Sequence, residues 1–347
     1  MPESRYDPHR GEWTLIAPER RARPHPAHYA NATPVEADPA CPFCPGNEHM
    51  TPPEVAALRD EGEENTPGWR ARCVTNKYPA IGSGEIKREG EGVFTTLKGG
   101  GRHEVLIDSP HHTKALADLG EAHAADVLGL LQERARALIE APGVRFVFAF
   151  KNHGAMGGAS ILHSHFQILG LPFATGGFEK MLEREAAFYQ ERESALLDHM
   201  LASERAQKKR IVEAGNEGAV VFCPRASRFP FLVRIAPWPT ECSFAGSAPG
   251  AVAAVGAALA RCLTRYKALL GNPPVNVSFL AAGAPEEHRW HIELFPRLTP
   301  LAGLETGLGA HINEVAPERA ADELRSTDAR EYAVSSSACF HRGPSHE

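Results

Sequence analysis

Lys151 to Pro172, KNHGAMGGASILHSHFQILGLP, sets the reading of the whole chain. Just before it, Arg145 to Phe150 (RFVFAF) is short, apolar and aromatic, the signature of a buried strand. A glycine-rich turn follows, with Gly154, Gly157 and Gly158, closing at Ser160. Then His163, His165 and Gln167 recur at every second position, so on a strand they share one face, while Ser164, Phe166 and Ile168 point the other way. Two imidazoles and an amide converging beside a glycine turn read as a phosphate-handling site. Two histidines satisfied inside a core strand are the plainer alternative, and for His-x-His alone the commoner one. The glycines, and metal-type residues elsewhere, tip the balance toward chemistry.

Composition narrows the field. The 347 residues can build two domains or one large composite core, and the net charge of −6 argues against general nucleic-acid binding. No apolar run is long enough to cross a bilayer, and MPESRYDPHRGEW at the start lacks a secretory core. Seven scattered cysteines, an odd number, suit the cytoplasm better than a disulfide scaffold.

Working outward, the arginine cluster Glu19 to Pro24 (ERRARP) is either a solvated arm or an anion clamp. Cys41-Pro42-Phe43-Cys44 lies in a Pro/Gly-rich loop, which favours half a zinc site over a redox pair; with no second such pair, the other ligands must be distant, best histidines. Residues 51–70 read as loop. Strands are expected at Arg72 to Asn76 and Glu104 to Ile107, and a helix at Leu119 to Ala141 with Val127, Leu131 and Leu138 as its apolar stripe. A long charged helix runs from about Gly177 to Arg210, broken near Asp198. The second half repeats the plan, with strands at Ala219 to Cys223 and Phe231 to Ile235, a helix from Pro249 to Leu270, then Val275 to Leu280 and His291 to Phe295. Strand, strand, helix, strand, loop, strand in each half is an internal duplication. We expect domains at 1–195 and 196–334, with a disordered tail at 335–347.

The ordered set RYDPHRGEWTLIAPERRARPH, CPFCPGN, TNKYPA, SPHHTKALADL, FKNHGAMGGASILHSHFQ, WHIELFPRL and AGLETGLGAHINEVAPE resembles the galactose-1-phosphate uridylyltransferase family of the histidine-triad superfamily, over most of the chain. The resemblance implies an α+β fold: two histidine-triad-like repeats forming an antiparallel, half-barrel-like sheet flanked by helices, in a homodimer. It implies ping-pong nucleotidyl transfer in which His165 attacks the α-phosphorus of a nucleotide sugar and holds the nucleotide for a second phosphorylated substrate. Gln167 and Ser160 would assist, the amides of Gly157 and Gly158 would donate in nest fashion, and Arg20, Arg23, Asn76 and Asn152 would contact substrate. Its structural zinc would take Cys41, Cys44, His112 and His163; on chemistry alone His111 is as good as His112.

Three departures stand out. Phe166 replaces a small residue between His165 and Gln167. A second metal site found in some members matches Glu179 and His291, but Glu293 and Ala282 stand where histidines are expected, so that site is expected to be absent. Lys77 replaces an acidic residue of uridylyl-transferring members. The resemblance gives UDP-glucose with galactose 1-phosphate as the default substrate pair, and Lys77 counts against its uridine base. The alternative is a phosphorylase acting on ADP-glucose and phosphate through the same nucleophile. A third reading is a nucleotide-binding protein without catalysis.

Overall fold

The computed structural model describes residues 2–22, 38–216 and 218–327. In chain order the strands of the first half are β1 (Glu3–Asp7), β2 (Glu12–Ile16), β3 (Glu54–Arg59), β4 (Trp69–Thr75), β5 (Lys87–Glu91), β6 (Phe94–Lys98), β7 (Arg102–Ile107), β8 (Phe146–His153) and β9 (His165–Leu171). The helix α1 (Leu116–Ile139) precedes β8. After β9 come α2 (Gly176–Arg192), α3 (Leu196–Gln207), β10 (Ile211–Ala214), β11 (Ala219–Phe222), β12 (Val233–Pro237), α4 (Pro249–Leu270), β13 (Val275–Ala282), β14 (Ile292–Pro296), α5 (Gly303–Leu308), β15 (His311–Asn313) and α6 (Pro317–Ser326).

Ten strands form one sheet in the order β10-β11-β12-β14-β13-β8-β9-β7-β4-β3, and every pairing in it is antiparallel. The order reads the same from either end when each strand is exchanged for its counterpart. The duplication expected from sequence is therefore built as two like halves joined at the β8–β13 seam. α1 and α4, the helix of each half, pack together across this seam on one face of the sheet. Their axes come close because Gly256 lacks a side chain: a Cβ there would lie 2.8 Å from the Ala124 carbonyl oxygen. Val127, Leu131 and Leu138 of α1 and Val252, Val255 and Leu259 of α4 join Phe166 and Ile168 in one buried cluster. Phe166 thus has a packing role in the core, away from the site face.

Several boundaries differ from expectation, each for a local reason. The long charged helix ends at Arg192, where Glu193 turns left-handed (φ 54°), and restarts at Leu196. The break expected near Asp198 thus falls at residues 193–195, and Asp198 sits in the first turn of the new helix, where a carboxylate suits the helix dipole. α1 begins at Leu116 and bends at Gly120 (φ 84°), beside the expected start. Residues 51–70 contain the edge strand β3, and the fully exposed hairpin β5–β6 also went unread. His163 precedes β9 and is not part of it. The expected tail at 335–347 lies outside the described residues. A separate small sheet, β1-β2-β15, ties the N-terminal strands to His311–Asn313.

Candidate active site and metal centre

The CxxC knuckle, the loop after β7 and the residue two before β9 converge. Cys41, Cys44, His112 and His163 place one ligand atom each within 4.8 Å of one another. The sulfur-to-nitrogen distances are 3.7 Å from Cys41 and 3.6 Å from Cys44 to His163 Nδ1, and 3.4 Å from Cys44 to His112 Nδ1. A tetrahedral ion with metal–sulfur bonds of about 2.3 Å and metal–nitrogen bonds of about 2.0 Å has sulfur–nitrogen edges of about 3.5 Å. The spacing therefore suits a metal ion. His163 Nε2–H donates to the Ser109 carbonyl at 2.8 Å, which leaves Nδ1 with its lone pair directed at the cluster. Geometry also separates the two neighbouring histidines: His112 joins the cluster, while the His111 backbone amide bonds the Ser109 hydroxyl.

His165 opens β9, in register with Ile107 of β7. Its Nδ1–H donates to the His163 carbonyl at 2.8 Å, so the second ring nitrogen, Nε2, is the one without a proton. Nε2 has no partner among the described residues, yet it is not sealed from solvent. Burial pushes the pKa of His165 down, with the His163 bond partly opposing, which favours the neutral imidazole. The Phe43 ring lies edge-on to both His163 and His165, with centroids 6.2 and 5.2 Å away. One residue inside the knuckle thus braces the Cys/His cluster and the His165 imidazole together. Beneath the strand, Lys151 Nζ donates to Asp108 Oδ2 and to Ser164 Oγ, each at 2.6 Å. Sequence reading passed over this buried ion pair, because Lys151 and Asp108 are far apart in the chain.

Gln167 shares the His165 face, and its Oε1 lies 2.9 Å from His103 Nε2. Asn76 stands against the same His103, 3.2 Å from Nε2, so it belongs to this group. Asn152 accepts from Asn276 Nδ2 at 2.8 Å and lies beside the glycine turn. The amides of Gly157 and Gly158 are already used: they donate to the carbonyls of Gly154 and Ala155 in a 3-10 turn. This corrects the expectation of a free backbone nest. The glycines serve close approach instead. A Cβ at Gly157 would meet the Val275 carbonyl oxygen at 2.9 Å, and Gly158 is left-handed (φ 85°). Ser160 is exposed on the loop between this turn and β9. Arg20 lies 4.0 Å from Glu314, and Arg23 is outside the described residues. Exposed Lys77 lies beside the Tyr78 ring.

The residues expected for a second metal site do not assemble one. Glu179 is exposed, and Ala282 has no donor. Glu293 is held by Arg228 at 2.9 Å and Arg234 at 3.0 Å, with Arg10 at 3.7 Å. Arg234 also pairs with Asp7 at 3.0 Å. Burial opposes the charge on Glu293, but the three guanidinium groups override it and hold the carboxyl well below its usual range. The carboxylate of α2 that does reach inward is Glu185, in the helix beyond Glu179. His9 Nε2 and His288 Nδ1 donate to it at 2.6 and 2.8 Å. His291 stacks obliquely near His9, with centroids 5.2 Å apart. His9, Glu185 and His288 are distant in sequence, so no spacing pattern announces them.

Residues 1–175, half of the chain, match the family model described as galactose-1-phosphate uridyl transferase, N-terminal domain. The chain belongs to this family. ADP-glucose phosphorylase of Arabidopsis thaliana is 28% identical over 337 residues, covering 93% of this chain and 92% of that protein. Galactose-1-phosphate uridylyltransferase of Thermotoga maritima is 27% identical over 345 residues, covering 94% and 99%. A crystal structure of the Arabidopsis thaliana ADP-glucose phosphorylase with bound ADP-glucose superposes with a TM-score of 0.77 at 25% identity, covering 94% of this chain and 99% of that one. These relatives make the protein a nucleotidyltransferase enzyme of this family, and the antiparallel sheet flanked by helices is the family's fold. Among the described residues, no helix is long and apolar enough to cross a membrane.

Proposed function

We propose that the chain transfers a nucleoside monophosphate from a nucleotide sugar to a phosphorylated acceptor through a covalent intermediate on His165 Nε2. The observation that carries this reading is the bond from His165 Nδ1–H to the His163 carbonyl, which leaves Nε2 as an unpartnered lone pair at the end of a braced strand. In the first half-reaction the Nε2–phosphorus bond forms at the α-phosphorus. The bond from that phosphorus to the bridging oxygen breaks, and the sugar phosphate leaves with the electron pair. Phosphorylated imidazole carries positive charge, so it leaves readily when the acceptor's oxygen attacks in turn. Gln167 donates to the non-bridging oxygens. Ser160 is the proposed further assisting donor, and Asn76, Asn152, Arg20 and Arg23 remain the proposed substrate contacts.

The donor set fits zinc, two thiolates and two imidazoles filling all four positions. Zinc bound there supplies rigidity, pinning the N-terminal loop to the segment that carries the nucleophile. The proposed division is 1–195 and 196–334, and the proposed assembly is a homodimer in the cytoplasm. UDP-glucose with galactose 1-phosphate is the first substrate pair. Lys77, and the likeness to a phosphorylase over 93% of the chain, favour ADP-glucose with phosphate as the competing pair.

Incubation with UDP-glucose or ADP-glucose, followed by intact and peptide mass spectrometry, tests both. A UMP or AMP adduct on His165 is expected, and its mass reads the base. His165→Gly should remove the adduct while keeping the fold and the metal. Failure of both nucleotides to label wild-type protein, or persistent labelling of the Gly variant, overturns the nucleophile assignment.

A further inference from the structure

His103 has no part in the scheme so far, yet its position is closely defined. It lies on β7 opposite Leu169, and the next residue on that face, Val105, is opposite Gln167. His103 and Gln167 are thus diagonal neighbours on the face that carries His165. Only 9% of His103 is exposed.

The turn after β4 holds it at two main-chain points, and the Asn76 side chain, its Oδ1 accepting from the Tyr78 amide, sets its Nδ2 against the ring at 3.4 Å from Nδ1 and 3.2 Å from Nε2, within reach of the Nδ1 lone pair. The Asn76 amide donates to the His103 carbonyl at 2.8 Å, and the Ala80 amide donates to His103 Nδ1 at 3.0 Å. A backbone N–H can only donate, so Nδ1 carries the lone pair. A neutral imidazole then has its proton on Nε2. That proton points at Gln167 Oε1, 2.9 Å away. Burial lowers the pKa of His103, in keeping with the neutral ring.

The consequence falls on Gln167. The two ends of a side-chain amide are ordinarily interchangeable, and only the hydrogen-bond partners settle which is which. Here the oxygen is engaged by a donor whose tautomer is dictated by main chain. The –NH₂ end must face the other way, and it has no partner among the described residues.

We propose that His103 is a positioning residue: fixed as the Nε2–H tautomer by the Ala80 amide, it turns Gln167 so that its N–H groups, and not its carbonyl, face the phosphoryl group attacked by His165. This rests on the function proposed above. A flipped Gln167 would set a carbonyl oxygen against phosphoryl oxygens, replacing attraction with repulsion at the point where negative charge grows.

The test exploits two substitutions of nearly equal size. His103→Gln keeps a donor within reach of Gln167 Oε1; His103→Glu, when ionised, can only accept and should rotate the Gln167 amide. Single-turnover formation of the His165 adduct is measured in each. For His103→Gln a rate within about tenfold of wild type is expected, and for His103→Glu a further loss of about a hundredfold, the size seen when one oxyanion donor is lost. Apparent nucleotide-sugar affinity should change little in either. In a Gln167→Ala background the difference between the two substitutions should vanish, which a merely structural role for His103 would not produce. Equal rates for the two single variants, or a difference that survives in the Gln167→Ala background, overturn the proposal. Wild-type protein that forms no adduct at all overturns the parent reading, and this inference with it. A measurement on unaltered protein avoids any folding defect. Long-range proton–nitrogen NMR of the imidazoles should report His103 as the Nε2–H tautomer, and finding Nδ1–H or the imidazolium sinks the proposal.

Discussion

β9 and β14 occupy equivalent places in the two halves of the sheet, and they have been put to opposite uses. Each follows an irregular loop, each pairs with the strand before it in the chain, and each ends at or just before a proline, Pro172 or Pro296. At β9, the thiolates and imidazoles around His163 form a set that can hold a metal ion, and His165 keeps a nitrogen with no partner. At β14, Glu293 is clamped by arginines, and His291 is buried with its pKa driven well down, by burial first and then by Arg234. One copy retains an unpaired group open to a substrate. The other satisfies its carboxylate with internal charge and so works as structure. A duplicated frame tolerates this division because the backbone geometry, not the side-chain chemistry, is what the sheet order needs.

The largest break in this contrast should come from the metal cluster. Chelation, or Cys44→Ser, is expected to release about one equivalent of zinc. Because binding at a closed structural site is coupled to folding, the unfolding midpoint should drop sharply and His165 labelling should fall with it. Release of two equivalents from wild-type protein would show that β14 also supports a metal, and would erase the distinction.

The next effect concerns Arg234, which is 1% exposed between Asp7 and Glu293. Arg234→Met leaves two buried carboxylates short of a cation. It should cost about 3–5 kcal/mol in denaturant unfolding. A change within about 0.5 kcal/mol would mean that Arg10 and Arg228 suffice, and that β14 is far less tightly closed than its geometry implies.

A smaller effect, confined to acid, belongs to Glu185. Burial alone would raise its pKa, but the bonds from His288 and His9 reverse this and bring it from 4.5 to about 2. A folded pKa below the unfolded one stabilises fully above the unfolded value and is lost as pH falls through the folded one. The contribution is therefore complete above pH 4.5, disappears toward about pH 2, and amounts to about 3 kcal/mol. Glu185→Gln should flatten stability against pH in that window. An unchanged acid slope would remove Glu185 from the account.

Much of the frame was legible because its signals are local. Val127, Leu131 and Leu138 announce α1 at helical spacing, and the alternation from Ser164 to Ile168 separates a core face from a site face. β3 was hidden because the strand flanks the sheet and carries charge at both ends, Glu54 and Arg59, which pair with each other. The β5–β6 hairpin has no buried face to leave a pattern. In the site, the CxxC knuckle and the two histidines could be picked out one by one. The resemblance picked His112 over His111, but residue chemistry alone left the two equal, because the loop's path decides which one reaches the cysteines. That Glu185 and not Glu179 turns inward could not be read, because helix phase decides it, and a charged helix with acids on several faces does not reveal its phase. The spent amides of Gly157 and Gly158 follow from a 3-10 turn that the glycines permit without specifying.

The β8–β13 seam has one more consequence. Seven residue pairs run along it, from Val275 with His153 to Ala282 with Val147, and α1 and α4 close over it. Backbone amides there should be the last to exchange with solvent, since opening them requires parting the halves. β9 is the immediate neighbour of β8. The His165 imidazole is thus moored one strand from that seam, and it should inherit a stiffness supplied largely by residues it never touches.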